Sequence, residues 1–209
     1  MNVYNDIFKR TFDFILALII FLILLPIFAL IFITIKFDSK GPVFYKAQRG
    51  GYHNIPFRIF KFRTMIINAD KIGGGTTALN DTRITKIGKF LRKTKLDEIP
   101  QLINILKGEM SFVGPRPELL QYTDKYAGRE KIILEVRPGI TDISSIQFIS
   151  LDEIVGVENA DEYYEKYILK EKNALRIKYV QEQNFGLDTQ LFFMTILRVC
   201  KKIWKISKK

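Results

Sequence analysis

The sequence predicts an α+β protein: a mostly helical cytosolic domain with short strands, an N-terminal membrane helix and a C-terminal amphipathic helix. Three observations predict it. Residues 14–35, FILALIIFLILLPIFALIFITI, form an apolar run of 22 positions without a charge. Two short stretches, 43–48 and 55–65, are rich in aromatic and β-branched residues and are flanked by Gly and Pro. The remainder shows helical spacing at 82–93, 94–108, 160–181 and 192–203. The chain therefore divides into an anchor at 1–36, a cytosolic domain at 37–190 and a basic amphipathic helix at 191–209.

The apolar run is long enough to cross a bilayer core: at ~1.5 Å per residue it reaches roughly 33 Å. It is apolar on every face, unlike the striped helix of a soluble core, and no small-residue cleavage site follows it. Pro26 sits near its middle, where a missing backbone donor should bend the helix. Lys9 and Arg10 precede it and Lys36, Lys40 and Lys46 follow, so charge does not orient it. A bent helix that returns to the same face and a kinked spanning helix both satisfy these features.

The strands follow, then a loop at Gly73-Gly74-Gly75, read as a flexible connector. Residues 82–93 place Ile84, Ile87, Phe90 and Leu91 on one face, with Arg83, Lys86, Lys89, Arg92 and Lys93 around it. A second helix is expected from Thr94, capped with Asp97, holding Pro100 in its first turn and ending at Gly108. Residues 111–117, SFVGPRP, read as a stiff loop, and 160–181 as a helix carrying Tyr163, Tyr164 and Tyr167. Phe192, Ile196, Val199 and Ile203 recur at helical spacing, with Lys201, Lys205 and Lys208 on another face and Trp204 nearby, which suits a membrane surface.

Composition narrows the chemistry. The 209 residues can build one domain with a core, and a 47% hydrophobic content excludes disorder. One Cys (Cys200) and one His (His53) exclude an internal disulfide and a His/Cys zinc cage, and no nucleophile motif supports a serine triad. Chemistry must run on carboxylates, Lys and Arg. The net charge is +11, and the last twelve residues hold six basic residues and no acid. Such a chain suits nucleic acid, anionic lipid or a phosphorylated small molecule. The uncharged 22-residue run argues against a nucleic-acid-binding protein.

Asp97 and Glu98 are the candidate catalytic pair. Acids at a helix start are common for dipole reasons alone, but these lie within a basic field of Arg83, Lys86, Lys89, Arg92, Lys93 and Lys95. Arg116 and Arg137 each sit beside a proline, in loops stiff enough to preset their direction, which suits phosphate. A carboxylate in that field can bind Mg²⁺ beside substrate phosphates, or attack phosphorus and form an acyl phosphate.

Residues 96–117, LDEIPQLINILKGEMSFVGPRP, closely resemble the signature of the bacterial sugar transferase family, the small monotopic phosphoglycosyl transferases. KRTFD at 9–13, QRGG at 48–51, KFRTM at 61–65, TRITKIG at 82–88 and RPGIT at 137–141 fall in the family's order. The chain departs from the family pattern at Leu25, often Ser, and at 142–147, DISSIQ.

The resemblance implies transfer of a sugar-1-phosphate from a nucleoside-diphospho sugar, a UDP-sugar, to undecaprenyl phosphate, with release of UMP. It implies Asp97 as nucleophile and magnesium ligand, Glu98 as its assistant, Mg²⁺ as cofactor and a re-entrant membrane helix broken at Pro26. It also implies the cytoplasmic face of the bacterial inner membrane, with membrane lipids and downstream glycosyltransferases as partners. Lys61, Arg63, Arg83, Arg92, Arg116 and Arg137 are the cations expected near phosphates. A catalytically silent membrane scaffold is the alternative, and the joint presence of Asp97, Glu98 and Arg116 argues against it.

Overall fold

A computed structural model describes residues 4–72, 81–149 and 160–208. Its α-helices are α1 (Lys9–Asp38), α2 (Ala69–Ile72), α3 (Lys86–Thr94), α4 (Gln101–Lys107), α5 (Leu120–Thr123), α6 (Ile143–Gln147), α7 (Ala160–Tyr163), α8 (Leu169–Glu182) and α9 (Phe185–Ser207). Its strands are β1 (Phe44–Gly50), β2 (Pro56–Phe62), β3 (Ser111–Val113) and β4 (Gly139–Thr141). The mostly helical architecture with a few short strands is as expected. The Gly73–Gly75 loop lies outside the described residues.

α1 is one helix of 30 residues, and Pro26 lies inside it. Proline removes the bond to the Leu22 carbonyl, yet the chain stays helical on both sides. Asp13, Ala17, Phe28, Ile31 and Ile35 are buried, with Ile20, Phe21 and Leu24 packed between them, a stripe that returns every three or four residues along the helix. Both ends of α1 rest on the same body. Arg10 donates to the carbonyls of Ile105 and Leu106 at the C-terminus of α4 (2.7 and 3.0 Å), and Ile35 packs with Phe62 and Leu91. Lys9 pairs with Asp188 of α9. Lys9 and Arg10, read from the sequence as a membrane flank, are thus used inside the fold. The opposite face of α1, including Leu18, Leu22, Ile23, Leu30 and Phe32, is exposed.

β1 and β2 form an antiparallel hairpin, with Phe44 opposite Phe62 and Gly50 opposite Pro56. β3 and β4 form a parallel pair, Ser111 with Gly139 and Val113 with Thr141. The sequence reading missed β3, because three residues followed by Gly114-Pro115 are too short for a strand pattern. The main core joins Ala17 of α1, Ile59 of β2, Leu102 and Ile105 of α4, Phe112 of β3, Tyr179 of α8 and Leu191 of α9. The C-terminal helix begins at Phe185, ahead of the 192–203 periodicity. Its inner side carries Leu191, while Phe193, Ile196, Leu197 and Trp204 are exposed.

Gly88 sets how closely α3 meets the strand exit. A Cβ there would lie 2.0 Å from the Thr64 carbonyl oxygen. Gly88→Ala would gain about 1 kcal/mol of helix propensity. Moving a rigid backbone costs more, typically 1–3 kcal/mol or above. The expected result is a lower melting temperature, and an unchanged or raised value would show that α3 can shift freely.

Candidate active site

The Asp97-Glu98 pair stands on a tight turn rather than in the first turn of a long helix. α3 ends at Thr94, whose hydroxyl donates to the Phe90 carbonyl (2.9 Å) and caps nothing downstream. Lys95 then takes the left-handed conformation (φ 60°), Leu96–Glu98 form one 3₁₀ turn, and α4 starts only at Gln101. The expected helix from Thr94 is corrected accordingly: the left-handed residue breaks it. Gly108, at φ 84°, ends α4 as expected.

α4 is held rigidly beneath this turn. Leu102 and Ile105 enter the core, and Asn104, fully buried, accepts from the Phe60 amide (2.9 Å) and donates to the Arg58 carbonyl (2.8 Å) of β2. β2 therefore presents Lys61 to the turn at a fixed height. Lys61 Nζ lies 3.0 Å from Glu98 Oε1, and Arg116 binds both oxygens of Glu98, with Nη1 3.0 Å from Oε2. Arg116 Nη1 also donates to the Ile140 carbonyl (3.2 Å), which links the proline-flanked loop to β4.

The two carboxylates are opposite in character. Burial opposes ionisation of Glu98, but Arg116 and then Lys61 outweigh it and hold its carboxyl well below the usual range. Burial, then the neighbouring Glu98 charge, pushes Asp97 above the ordinary carboxylate value. Asp97 is 7% exposed, and its Oδ1 is buried without a hydrogen-bond partner. One carboxylate is locked in an ion-pair lattice and the other is left uncommitted, as a reacting group requires.

The pair opens onto a cleft of about 900 Å³. One wall is cationic, with Lys61, Arg63, Arg83, Arg92 and Arg116 among the lining residues. The other is apolar, with Ile20 and Leu24 of α1, Ile146 of α6, and Val199 and Ile203 of α9. Within the cationic wall, several groups have structural partners. Arg63 donates to the Ser39 and Lys40 carbonyls (both 2.8 Å), Arg83 forks onto Asp81, and Arg92 Nε donates to the Thr64 hydroxyl (2.8 Å). Arg137 is not among the lining residues: it donates to the Gly108 and Asn5 carbonyls (both 3.2 Å) and covers the Tyr52 ring.

Lys95 of the basic field also lines the cleft, as do Arg49 and Lys172, which were not singled out from the sequence. Arg49 was visible only as part of QRGG. Lys172 gave no signal, because one lysine in a charged helix reads as solvated. In the fold it is buried and its pKa falls to about 8, chiefly through desolvation.

The Asp97 carboxylate thus faces basic side chains in a cleft that is also lined by α1, a helix with an exposed apolar face. The bacterial sugar transferase family model matches residues 4–202, and the chain belongs to that family. It is 34% identical over 203 residues to a UDP-glucose:undecaprenyl-phosphate glucose-1-phosphate transferase of Klebsiella pneumoniae, covering 95% of this chain and 41% of that protein. It is 34% identical over 193 residues to the uncharacterized sugar transferase EpsL of Bacillus subtilis, covering 92% and 87%. A putative undecaprenyl-phosphate N-acetylgalactosaminyl 1-phosphate transferase of Bacillus subtilis matches at 44% over 118 residues, 56% of this chain and 66% of that protein. The chain spans about two fifths of the named glucose-1-phosphate transferases of Klebsiella pneumoniae and Escherichia coli.

Proposed function

We propose that the protein transfers a sugar-1-phosphate from a UDP-sugar to undecaprenyl phosphate, releases UMP, and does so through a phosphosugar carried on Asp97. The observation that carries this reading is the uncommitted Asp97 carboxylate at the meeting of a cationic wall and an apolar wall. The cationic wall suits a diphosphate, and the apolar wall, shared by α1 and α9, suits a polyprenyl chain. The names of the relatives supply the donor and acceptor classes.

In the first step an Asp97 carboxylate oxygen attacks the β-phosphorus of the donor. The bond from that phosphorus to the bridging oxygen breaks, and UMP leaves with the electron pair. In the second, a phosphate oxygen of undecaprenyl phosphate attacks the same phosphorus. The acyl-phosphate bond breaks and the Asp97 carboxylate is restored. Glu98 holds Lys61 and Arg116 at the phosphate-facing wall.

A divalent cation fits this site in a limited way. Asp97 offers hard oxygen donors, while Glu98 is taken by Arg116 and Lys61. Among the described residues no group of three or more His, Cys, Asp or Glu side chains could form a protein cage. Asp97 with substrate phosphates and water is the arrangement Mg²⁺ prefers. Bound there, Mg²⁺ would offset charge on the diphosphate.

The exposed apolar faces of α1 and α9 support residence in the bacterial inner membrane, with the domain on the cytoplasmic side. Contact of both ends of α1 with one body supports a helix that enters and returns by the same face. Incubating the protein with labelled UDP-sugar and Mg²⁺, without lipid, should release UMP and leave label on Asp97. Adding undecaprenyl phosphate should then remove the label. UMP release that requires the lipid, with no labelled protein, would overturn the covalent route.

A further inference from the structure

Beyond the Glu98–Arg116 pair lies a smaller recess of about 150 Å³. Arg49, Lys61, Arg116 and Lys172 border both the recess and the main cleft, so four cations stand where the two cavities share walls. Three of them have anionic partners. Glu98 pairs with Lys61 and Arg116, and Glu118 Oε1 lies 3.5 Å from Lys172 Nζ. Arg49 differs. Its guanidinium donates to the Gln48 carbonyl (2.9 Å), and no carboxylate lies within 4 Å of it among the described residues. It is half-buried, and burial acts against its charge. A desolvated guanidinium that cannot lose its proton is costly until an anion arrives. Tyr122, which also lines the recess, is 2% exposed and its hydroxyl has no hydrogen-bond partner.

Size and position identify the anion. Pockets for whole small ligands run to ~300–1,000 Å³, so this recess suits a single group of a ligand that also occupies the main cleft. No residue of α1 or α9 lines it, whereas both helices line the main cleft. The lipid's phosphate is expected from the side of those helices, which leaves the recess to the water-soluble substrate. We infer that Arg49, with Lys172 and Tyr122, forms the subsite for the phosphate of the nucleotide that leaves, the monophosphate portion of the donor. This rests on the proposed reaction. No bond forms or breaks at Arg49: it holds the leaving phosphate while Asp97 takes the other phosphorus.

The test is UMP binding to the full chain in detergent micelles, measured by calorimetry, beside the KM for undecaprenyl phosphate. Arg49→Gln should weaken UMP binding about tenfold or more, since charge-assisted contacts to phosphate are the strong ones. Arg49→Lys should recover part of the loss, and Lys172→Met should also weaken UMP. The KM for undecaprenyl phosphate should stay within about twofold of wild type. Melting temperatures identify any variant that fails to fold, and Arg49→Lys and Lys172→Met then carry the test. Unchanged UMP affinity in folded variants overturns the inference. A raised KM for the lipid with UMP affinity intact overturns it too, by assigning the recess to the acceptor. Wild-type turnover is read separately: its absence counts against the proposed reaction, while turnover with Arg49→Gln binding UMP normally counts against the subsite alone.

Discussion

Asp97→Asn is expected to abolish turnover, by roughly 10⁴-fold or more, as loss of a covalent nucleophile does, while the protein melts at or above the wild-type temperature. The two halves have one cause. Asp97 is buried beside Glu98, with Oδ1 unpartnered, and its pKa is raised. An acid whose folded pKa lies above its unfolded value loses stability as pH rises through that window, because the folded chain resists the charge. At neutral pH the buried Asp97 carboxyl therefore costs folding energy, and a neutral amide of the same size removes that cost. The acid limb of the activity profile should accordingly fall above the ordinary carboxylate range. Turnover by Asp97→Asn would remove the site itself. A sharply lower melting temperature would show that the carboxylate is a structural partner.

The pair was legible in the sequence because it is local: two adjacent acids, a proline two residues on, and a run of basic residues before them. The tight turn that carries it was not, since the left-handed Lys95 leaves no mark in composition. The long apolar helix was legible from hydropathy alone, but its inner stripe was not, because Ala17, Phe28, Ile31 and Ile35 look like the exposed apolar residues around them. Arg116 and Arg137 show the limit most clearly. Both are arginines beside prolines, and the same local argument served both. The fold brings Arg116 to Glu98, and uses Arg137 on the Gly108 and Asn5 carbonyls. A stiff loop fixes where a guanidinium points, and only the tertiary arrangement supplies what it meets. Lys172 and Arg176 were invisible for a related reason: their shared acidic partner, Glu118, lies far back in the sequence, 58 residues from Arg176, so no spacing rule reaches it.

The second large effect is expected at Glu118. Glu118→Gln should lower stability by about 3–5 kcal/mol, the usual cost of removing one partner from a buried ion pair. That is a fall in melting temperature on the order of 10 °C for a chain of this size. Glu118 Oε1 receives Arg176 (2.5 Å), the Tyr164 hydroxyl and the more distant Lys172. Arg176 is fully buried, and its remaining acidic neighbour, Asp142, is 4.0 Å from Nε. Without the Glu118 charge, two buried cations face each other across a neutral amide. The same network predicts a pH dependence with a definite sign. Burial opposes ionisation of Glu118, but Arg176 and then Lys172 hold its carboxyl down at about 2, against 4.5 for an ordinary glutamate. An acid with a depressed folded pKa contributes its full stability above the unfolded value and loses it as pH falls through the folded one. The Glu118 contribution to the advantage of wild type over Glu118→Gln should therefore be fully present at about pH 4.5 and shrink towards pH 2. Denaturant unfolding of both proteins across that range measures the difference directly, with every other carboxylate cancelling. Glu118→Gln with wild-type stability at pH 7, or a difference that does not shrink in acid, would show that Arg176 is satisfied elsewhere. Glu118→Leu combined with Arg176→Met supplies the complementary result. Removing both charges leaves Lys172 as the buried cation without its Glu118 partner, so the double variant should regain part of the loss and not all of it.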